Sequence, residues 1–204
     1  MLTLLDPPES PLLTLAEVKE ALKIDSADED NYTYTLIDAV TQYLDGRDGI
    51  LGRCLRPQRW RLDLPEFPFW RTPIVLPLPP TINVEYIDYF DDAGVRVVMS
   101  SDTYRVIDGG VSGHKITPVR GGRWPLVANF EPDPDNVSIT FRAGYQDLAS
   151  PANESVPQPI RLAAMLLIGD MFENRADTIA GVTVAQLPNA ARALLQSYRL
   201  MVRR

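Results

Sequence analysis

Histidine and cysteine, which carry much of the acid–base, nucleophilic and metal chemistry of proteins, occur once each in this 204-residue chain. A serine or cysteine nucleophile would need His114 as its base, and a zinc site would need several such ligands. His114 stands between Gly113 and Lys115, a setting typical of a solvated loop residue. The sequence therefore predicts no catalytic residue, no metal site, no cofactor and no enzyme activity.

Four carboxylates cluster near the start of the chain, at Asp25, Asp28, Glu29 and Asp30. An EF-hand calcium loop needs a glycine at its sixth position, and counting from Asp25 or Asp28 finds none there. Carboxylates at the start of a helix are explained by capping and by the helix dipole. We therefore predict a helix N-terminus here and no calcium site.

A second acidic group, Asp88, Asp91 and Asp92, could be imagined as a pair of acid–base carboxylates. These residues come shortly before Gly94, near the junction of two alternating segments. Aspartate is favoured in turns because its side chain bonds to nearby backbone N–H groups. The pattern therefore predicts a hairpin turn.

Aromatic side chains leave two interpretations open. They could stack against a sugar or a base, or they could pack in the core or between subunits. The residues concerned are Trp60, Phe67, Phe69, Trp70 and Trp124.

The formal net charge of −7 and the pI of about 4.7 exclude a surface that grips nucleic acid throughout, since that binding needs a basic face. A channel in which DNA slides without sticking is compatible with this charge. The single cysteine excludes an internal disulfide and fits a reducing compartment. The longest apolar run, residues 162–168, is too short to span a bilayer.

The first 55 residues predict an extended arm followed by two helices. The proline-rich residues 1–13 predict the arm. Thr14 and Glu17 form a capping-box pattern that predicts a helix over residues 15–22. Ser26 and Glu29 repeat the pattern and predict a longer helix from Asp28 to about residue 46 or 51.

From residue 57 to 142 the apolar residues recur with a period close to two, which predicts six or seven antiparallel strands. The clearest signal is a hairpin that joins residues 82–90 to 95–98 through Asp91 and Gly94. Helical spacing returns at residues 157–175 and 188–204. The second of these helices, about 25 Å long at 1.5 Å per residue, carries an apolar stripe on one face and arginines on another.

This order of elements predicts an α+β fold. A small helical bundle, made of two N-terminal and two C-terminal helices, contains an inserted antiparallel β sub-domain. The predicted boundaries are 1–54 for the arm and first helices, 55–145 for the β sub-domain and 146–204 for the C-terminal helices.

Several short phrases occur in an order that resembles the head–tail connector proteins of tailed bacteriophages and gene transfer agents, also called adaptor or head-completion proteins. The subgroup with an extra β domain is the most similar. The phrases are Leu15-Ala16-Glu17-Val18-Lys19, Ile74-Val75-Leu76-Pro77-Leu78-Pro79-Pro80, Tyr104-Arg105-Val106, Arg123-Trp124-Pro125, Thr140-Phe141-Arg142-Ala143-Gly144-Tyr145 and Phe172-Glu173-Asn174-Arg175.

The resemblance implies a structural role in the virion neck, made in the cytoplasm of a bacterial host. It implies a ring, usually of twelve copies, beneath the portal protein, with DNA passing through the lumen and a stopper or tail-completion protein below. It also implies that helix 188–204 docks into the portal through Arg192, Leu195, Tyr198, Arg199, Val202, Arg203 and Arg204. The hinge would be the loop containing Asp177, Gly181 and Leu187.

The same resemblance implies that the long helix from Asp28 lines or braces the ring, and that the acidic balance lets DNA slide. Two alternatives stay open at this point. One is a stopper or tail-completion protein. The other is a carbohydrate-binding β module that uses Trp60, Trp70 or Trp124. Neither alternative involves a membrane.

Overall fold

The computed structural model describes residues 1–109, 113–125, 134–146, 155–175 and 188–200. These residues contain four α-helices and two antiparallel sheets, so the predicted α+β class is confirmed. The chain divides into two compact units. The β unit comprises Met1–Pro8 and Pro57–Tyr145, and the helical unit comprises Glu9–Arg56 and Gln146–Arg204.

The strands of the β unit are β1 (Leu2–Asp6), β2 (Gln58–Leu64), β3 (Ile74–Val75), β4 (Thr81–Phe90), β5 (Arg96–Val98), β6 (Tyr104–Ile107), β7 (Lys115–Pro118) and β8 (Val137–Ala143). The main sheet has five of these strands, in the order β1-β2-β8-β4-β5. A second sheet has three strands in the order β3-β7-β6, and a short 3₁₀ helix, Ser101–Thr103, precedes β6. The predicted hairpin is the β4–β5 pair.

Strand β8 is the centre of the main sheet because it pairs with β2 on one side and β4 on the other. Its alternate residues Val137, Ile139, Phe141 and Ala143 are fully buried on one face. Complete burial of a valine, isoleucine or phenylalanine side chain stabilises the folded state by about 1.5–3 kcal/mol. This row of side chains, which alternates along β8 as the sequence predicted, forms the core of the unit.

The first residues of the chain differ from the prediction. Residues 1–13 were expected to form an arm grouped with the helices, but Leu2–Asp6 is an edge strand antiparallel to β2. Leu2 pairs with Leu62 and Leu4 with Trp60. The partner strand of this segment lies far away in sequence.

The helical unit begins with α1 (Leu15–Leu22), and the predicted capping box is confirmed. The Thr14 hydroxyl accepts from the Glu17 backbone N–H, and the Glu17 carboxylate accepts from the Thr14 N–H at 2.8 Å. The Thr14 backbone N–H lowers the pKa of the Glu17 carboxyl most, and Arg161 of a later helix, which pairs with that carboxylate, lowers it further. A charged Glu17 therefore supports both the cap and a helix–helix contact.

The second helix, α2, is Asp30–Leu44, so it begins two residues later and ends earlier than predicted. The second capping box is wrong. Ser26 bonds instead to Asp28, whose backbone N–H donates to the Ser26 hydroxyl at 3.1 Å. This local turn uses the hydroxyl, and the residue at the N-terminal cap of α2, Glu29, makes no side-chain capping bond.

The third helix, α3 (Gln158–Glu173), packs against α1, α2 and the fourth helix, α4 (Asn189–Gln196). It has a proline in its first turn, as predicted, where no N–H bond is lost. A Cβ added at Gly169 would lie only 3.1 Å from Cδ2 of Leu22, so the glycine fits the close approach of α1. The buried side of α3 comprises Ile160, Ala163, Ala164, Leu167 and Ile168.

Helix α4 is half the predicted length, because the helix expected over residues 188–204 ends at Gln196. A turn follows at residues 197–198, and residues 199–200 are not helical. Residues 201–204 lie outside the described part of the chain.

Candidate functional site

The C-terminal segment was predicted to dock through both arginines and apolar residues, and the structure separates these two groups. Arg192 and Arg199 are exposed. Leu195, in contrast, is only 3% exposed, and Ala191 is fully buried. The apolar side of α4 is therefore buried within the chain itself.

The residues after α4 are held on the helical unit by backbone contacts. Arg53 Nε donates to the Tyr198 carbonyl at 2.8 Å, and the Leu200 N–H donates to the Leu51 carbonyl at 3.0 Å. The N–H groups of Tyr198 and Arg199 both bond to the Leu195 carbonyl. These contacts end the helix and leave Tyr198 half-buried.

Six of the predicted site residues cannot be compared with the structure. They are Val202, Arg203, Arg204, Asp177, Gly181 and Leu187, and all lie outside the described residues. The predicted hinge and the last part of the docking element therefore stay predictions.

The acidic cluster near the start of α2 has local explanations. Asp30 pairs with Lys19 at 2.5 Å, and Glu29 pairs with Arg175 at 2.7 Å. The Arg175 guanidinium also lies 4.8 Å from the ring centre of Tyr32 and 4.7 Å from that of Phe172. Asp30 thus forms an ion pair with α1, and Glu29 forms one with Arg175, just after the C-terminal end of α3. These ion pairs explain the carboxylates without calcium ligation.

The solvent side of α2 has an unusual composition for a long helix. No lysine or arginine occurs between Asp30 and Leu44. Asn31, Thr35, Asp38 and Gln42 are exposed at helical spacing. This side is uncharged apart from one carboxylate, so it offers no cation to a phosphate backbone.

A polar row crosses the main sheet at the level of Ser138. Ser138 Oγ donates to Asp63 at 2.8 Å, and the guanidinium of Arg96 donates to Ser138 Oγ at 2.7 Å and also to Asp88. Ser138 is fully buried and Asp63 is 3% exposed. A serine between two carboxylates could suggest catalysis, but this hydroxyl cannot reach a substrate, and its bonds couple β2, β8, β4 and β5.

The other residues considered for chemistry are His114, Cys54 and Asp91. The backbone carbonyl of His114 accepts from the Leu76 N–H at 2.9 Å, and Cys54 is buried. Asp91 Oδ1 accepts from the N–H groups of Ala93 and Val95, which confirms the predicted hairpin turn. Within the described residues no three His, Cys, Asp or Glu side chains converge as a metal site would require. No described helix has the length and apolarity needed to cross a bilayer.

The five aromatic residues divide into buried and exposed groups. Trp60 and Trp124 are each 5% exposed, so two of the three tryptophans proposed to bind carbohydrate are inaccessible. Phe67 stacks on Trp124, with ring centres 5.0 Å apart and planes at 7°, and meets Tyr89 edge-on at 5.5 Å. Phe69 and Trp70, which we call the aromatic tip, are 88% and 63% exposed.

The aromatic tip sits on an ordered turn. The Thr72 N–H and hydroxyl both donate to the Phe69 carbonyl, at 3.1 and 2.8 Å. The Trp124 backbone N–H donates to the Trp70 carbonyl at 3.3 Å. Trp70 has a φ of +61°, a left-handed conformation that is rare for a bulky residue. Sequence reasoning did not distinguish this tip from the buried aromatics.

Comparison with solved structures identifies proteins of the same fold. A chain in the neck of an empty gene transfer agent particle with C6 symmetry is 24% identical, with a TM-score of 0.71 over 98% of this chain and 95% of that one. A chain of the virion of a native gene transfer agent particle is 23% identical, with the same TM-score and coverage. The neck of the native particle with C12 symmetry gives 23% identity and a TM-score of 0.64, over 98% and 94% of the two chains.

This chain shares its fold with neck chains of gene transfer agent particles. The agreement extends over both the helical and the β unit, because 98% of the chain is covered. No protein-family model and no curated protein matches the sequence.

Proposed function

We propose that this chain is a structural subunit of the neck of a phage-like particle, a head–tail connector without enzyme activity. The observation that carries the proposal is the shared fold over 98% of the chain with neck chains of gene transfer agent particles. In this proposal the protein resides in the virion, between head and tail.

In the proposed assembly, copies of the chain form a symmetric ring, twelve in the version we favour, beneath the portal protein. Two of the similar neck structures were computed with rotational symmetry, C6 in one and C12 in the other, which supports a ring. A stopper or tail-completion protein would attach below. The solvent side of α2, without lysine or arginine, suits a lumen through which DNA passes without binding.

Docking to the portal would use the exposed arginines of the C-terminal segment, Arg192 and Arg199, together with residues 201–204. Arginine forms bidentate pairs with carboxylates and is common in interface ion pairs. The buried Leu195 would stabilise the helical unit in this arrangement, and the hinge at Asp177, Gly181 and Leu187 would set the position of α4.

The test is co-sedimentation of the purified chain with its cognate portal ring. Removing all residues after Leu187 would also remove Ala191 and Leu195 from the core, so loss of binding could reflect unfolding. The sharper variant is the charge reversal Arg192→Glu with Arg199→Glu, which leaves the buried residues unchanged. We expect the parent to bind at about one copy per portal subunit and this variant to lose at least ten-fold in affinity.

The matched control is Arg120→Glu with Arg123→Glu, which reverses two exposed arginines of the β unit and should bind like the parent. If the Arg192 and Arg199 double variant bound as tightly as this control, the two arginines would have no part in docking. Failure of the parent to bind the portal would favour a stopper or tail-completion role instead. Binding of the isolated chain to a glycan array would favour the carbohydrate alternative, for which Trp70 is the one accessible tryptophan of the three.

A further inference from the structure

The aromatic tip combines exposure with backbone strain. Single exposed apolar residues are common on protein surfaces, but Phe69 and Trp70 are adjacent and are 88% and 63% exposed. A tryptophan in the left-handed region costs conformational free energy that glycine or asparagine would avoid. Strained residues of this kind persist where the surrounding structure imposes them, and they concentrate at functional positions.

The turn that carries the tip is held in advance of any contact. Trp124 bonds to it twice, through its backbone N–H to the Trp70 carbonyl at 3.3 Å and through its indole N–H to the Thr72 carbonyl at 2.9 Å. Trp124 is itself fixed by stacking on Phe67. A preorganised aromatic pair loses little conformational freedom when it binds, and tryptophan is prominent among residues that dominate interface energies.

A second surface of the β unit could receive such a pair. In the three-stranded sheet, Val75 is opposite Lys115 on β7, and Lys115 is opposite Ile107 on β6. These three residues therefore form a row on one face of the sheet, which we call the apolar row. Val75 is 50% exposed and Ile107 is 40% exposed. Its aliphatic side chains provide a floor for an aromatic ring, and an ammonium group can approach the face of an indole.

We propose that the aromatic tip of one copy packs on the apolar row of a second copy of this chain. The inference rests on the ring proposed above. A ring with rotational symmetry joins each copy to the next through two different patches of the same chain. The tip and the row are two such patches with complementary chemistry, aromatic on one side and aliphatic with one cation on the other.

The contact can be tested by intermolecular paramagnetic broadening. One copy is ¹⁵N-labelled, and its three indole N–H signals report on Trp60, Trp70 and Trp124. The other copy is unlabelled and carries a nitroxide on Ile107→Cys. The native Cys54 is fully buried, and the parent chain treated with the same reagent checks that it takes up no label. We expect the Trp70 signal to broaden at least three-fold more than the Trp60 and Trp124 signals.

The control places the nitroxide at Ala93→Cys, an exposed position in the β4–β5 turn. Equal broadening of Trp70 by both labels, or no selective broadening by the Ile107 label, would overturn the proposal. The double variant Phe69→Ser with Trp70→Ser should keep the melting temperature within about 3 °C, because both side chains are exposed. This variant can also serve as the unlabelled copy, with the nitroxide on Ile107→Cys. It should then broaden the Trp70 signal of a ¹⁵N-labelled parent copy as strongly as before, because it still carries the apolar row.

The reciprocal pairing completes the test. The nitroxide stays on Ile107→Cys, and the ¹⁵N-labelled copy is the variant Phe69→Ser, which halves the tip but retains the Trp70 reporter. Trp70 broadening should then fall at least two-fold, and unchanged broadening would argue against the tip. No portal protein is present in these samples. A failed contact together with successful portal co-sedimentation would reject the tip contact and spare the proposed portal docking. The converse result would reject portal docking and spare the tip contact.

Discussion

Phe67 and Phe69 lie two residues apart in the same loop and have opposite environments. Phe67 is 7% exposed and stacked on Trp124, whereas Phe69 is 88% exposed. The tryptophans show the same contrast, with Trp124 buried and Trp70 in solvent. Phe67 and Trp124 stabilise the β unit. Trp124 also bonds to the turn that carries the exposed Phe69 and Trp70. The comparison shows how a small buried aromatic cluster can hold two neighbouring aromatic side chains in solvent.

The largest expected effect comes from removing the supporting half. Trp124→Ala should lower the free energy of unfolding by about 3–5 kcal/mol, because it leaves a cavity beside Phe67 and removes the indole hydrogen bond to the Thr72 carbonyl. Urea unfolding followed by near-UV circular dichroism measures this change. Trp70→Ala is the matched control and should change stability by less than about 0.5 kcal/mol. Similar losses in both variants would break the comparison.

A gentler change separates stability from rigidity. Trp124→Phe keeps a ring stacked on Phe67 but removes the indole N–H that donates to the Thr72 carbonyl. Loss of one such bond should cost about 1 kcal/mol. The turn should also become more mobile, which the ¹⁵N relaxation of the Trp70 indole would report. An unchanged Trp70 relaxation would mean that the backbone bonds alone hold the tip.

The strain at Trp70 can be measured with two substitutions at that position. Glycine adopts a positive φ without steric cost, whereas alanine does not. Trp70→Gly should therefore be more stable than Trp70→Ala by about 1 kcal/mol, although both remove the same side chain. Thermal unfolding of the two variants gives the difference. Equal stability would show that the left-handed conformation is not maintained in solution.

The smallest expected effect concerns Glu17 of the helical unit, and it provides a baseline for the effects in the β unit. The pKa of Glu17 is lowered by the Thr14 backbone N–H first and by Arg161 as well. Its contribution to stability is therefore present above the unfolded-state value of about 4.3 and is lost as pH falls through the lower folded-state value. Glu17→Gln should reduce that acid dependence by less than about 1 kcal/mol, since the side chain is 43% exposed and screened by water.

The experiment for this baseline compares urea unfolding of the parent and Glu17→Gln at pH 7 and pH 3. The parent should lose more stability between these values than the variant. A variant with the same loss would assign the acid dependence to other carboxylates. The loss of stability in Trp124→Ala should be nearly the same at both pH values, because neither the Trp124 indole nor the Phe67 ring has a titratable group.

Local signals in the sequence predicted much of the fold. The Thr14 capping box, the Asp91 turn and the alternation in β8 depend on residues close together in the chain, and each was confirmed. Leu2–Asp6 was not recognised as a strand because its partner, β2, begins more than fifty residues later. A proline-rich segment gives no local signal for such a pairing.

The C-terminal helix shows how tertiary contacts override helical spacing. The apolar residues continue at helical intervals to Val202, but α4 ends at Gln196. Arg53 and Leu51 engage the backbone of Tyr198 and Leu200 instead. Composition could not reveal that Leu195 faces the core of its own unit. The orientation of Phe69 and Trp70 was equally hidden, because adjacent aromatics flanked by prolines have no period that identifies a buried side.

The position of β8 has a consequence for how the protein is made. The central strand of the main sheet is also its last strand in sequence, and its Ser138 bonds to Asp63, 75 residues earlier. During synthesis β1, β2, β4 and β5 emerge before the strand that joins them. Sheets dominated by distant pairings form slowly, and unpaired strands are prone to aggregate. The nascent β unit therefore passes through an interval in which β2 and β4 have open edges, and this interval closes only when residue 143 has left the ribosome.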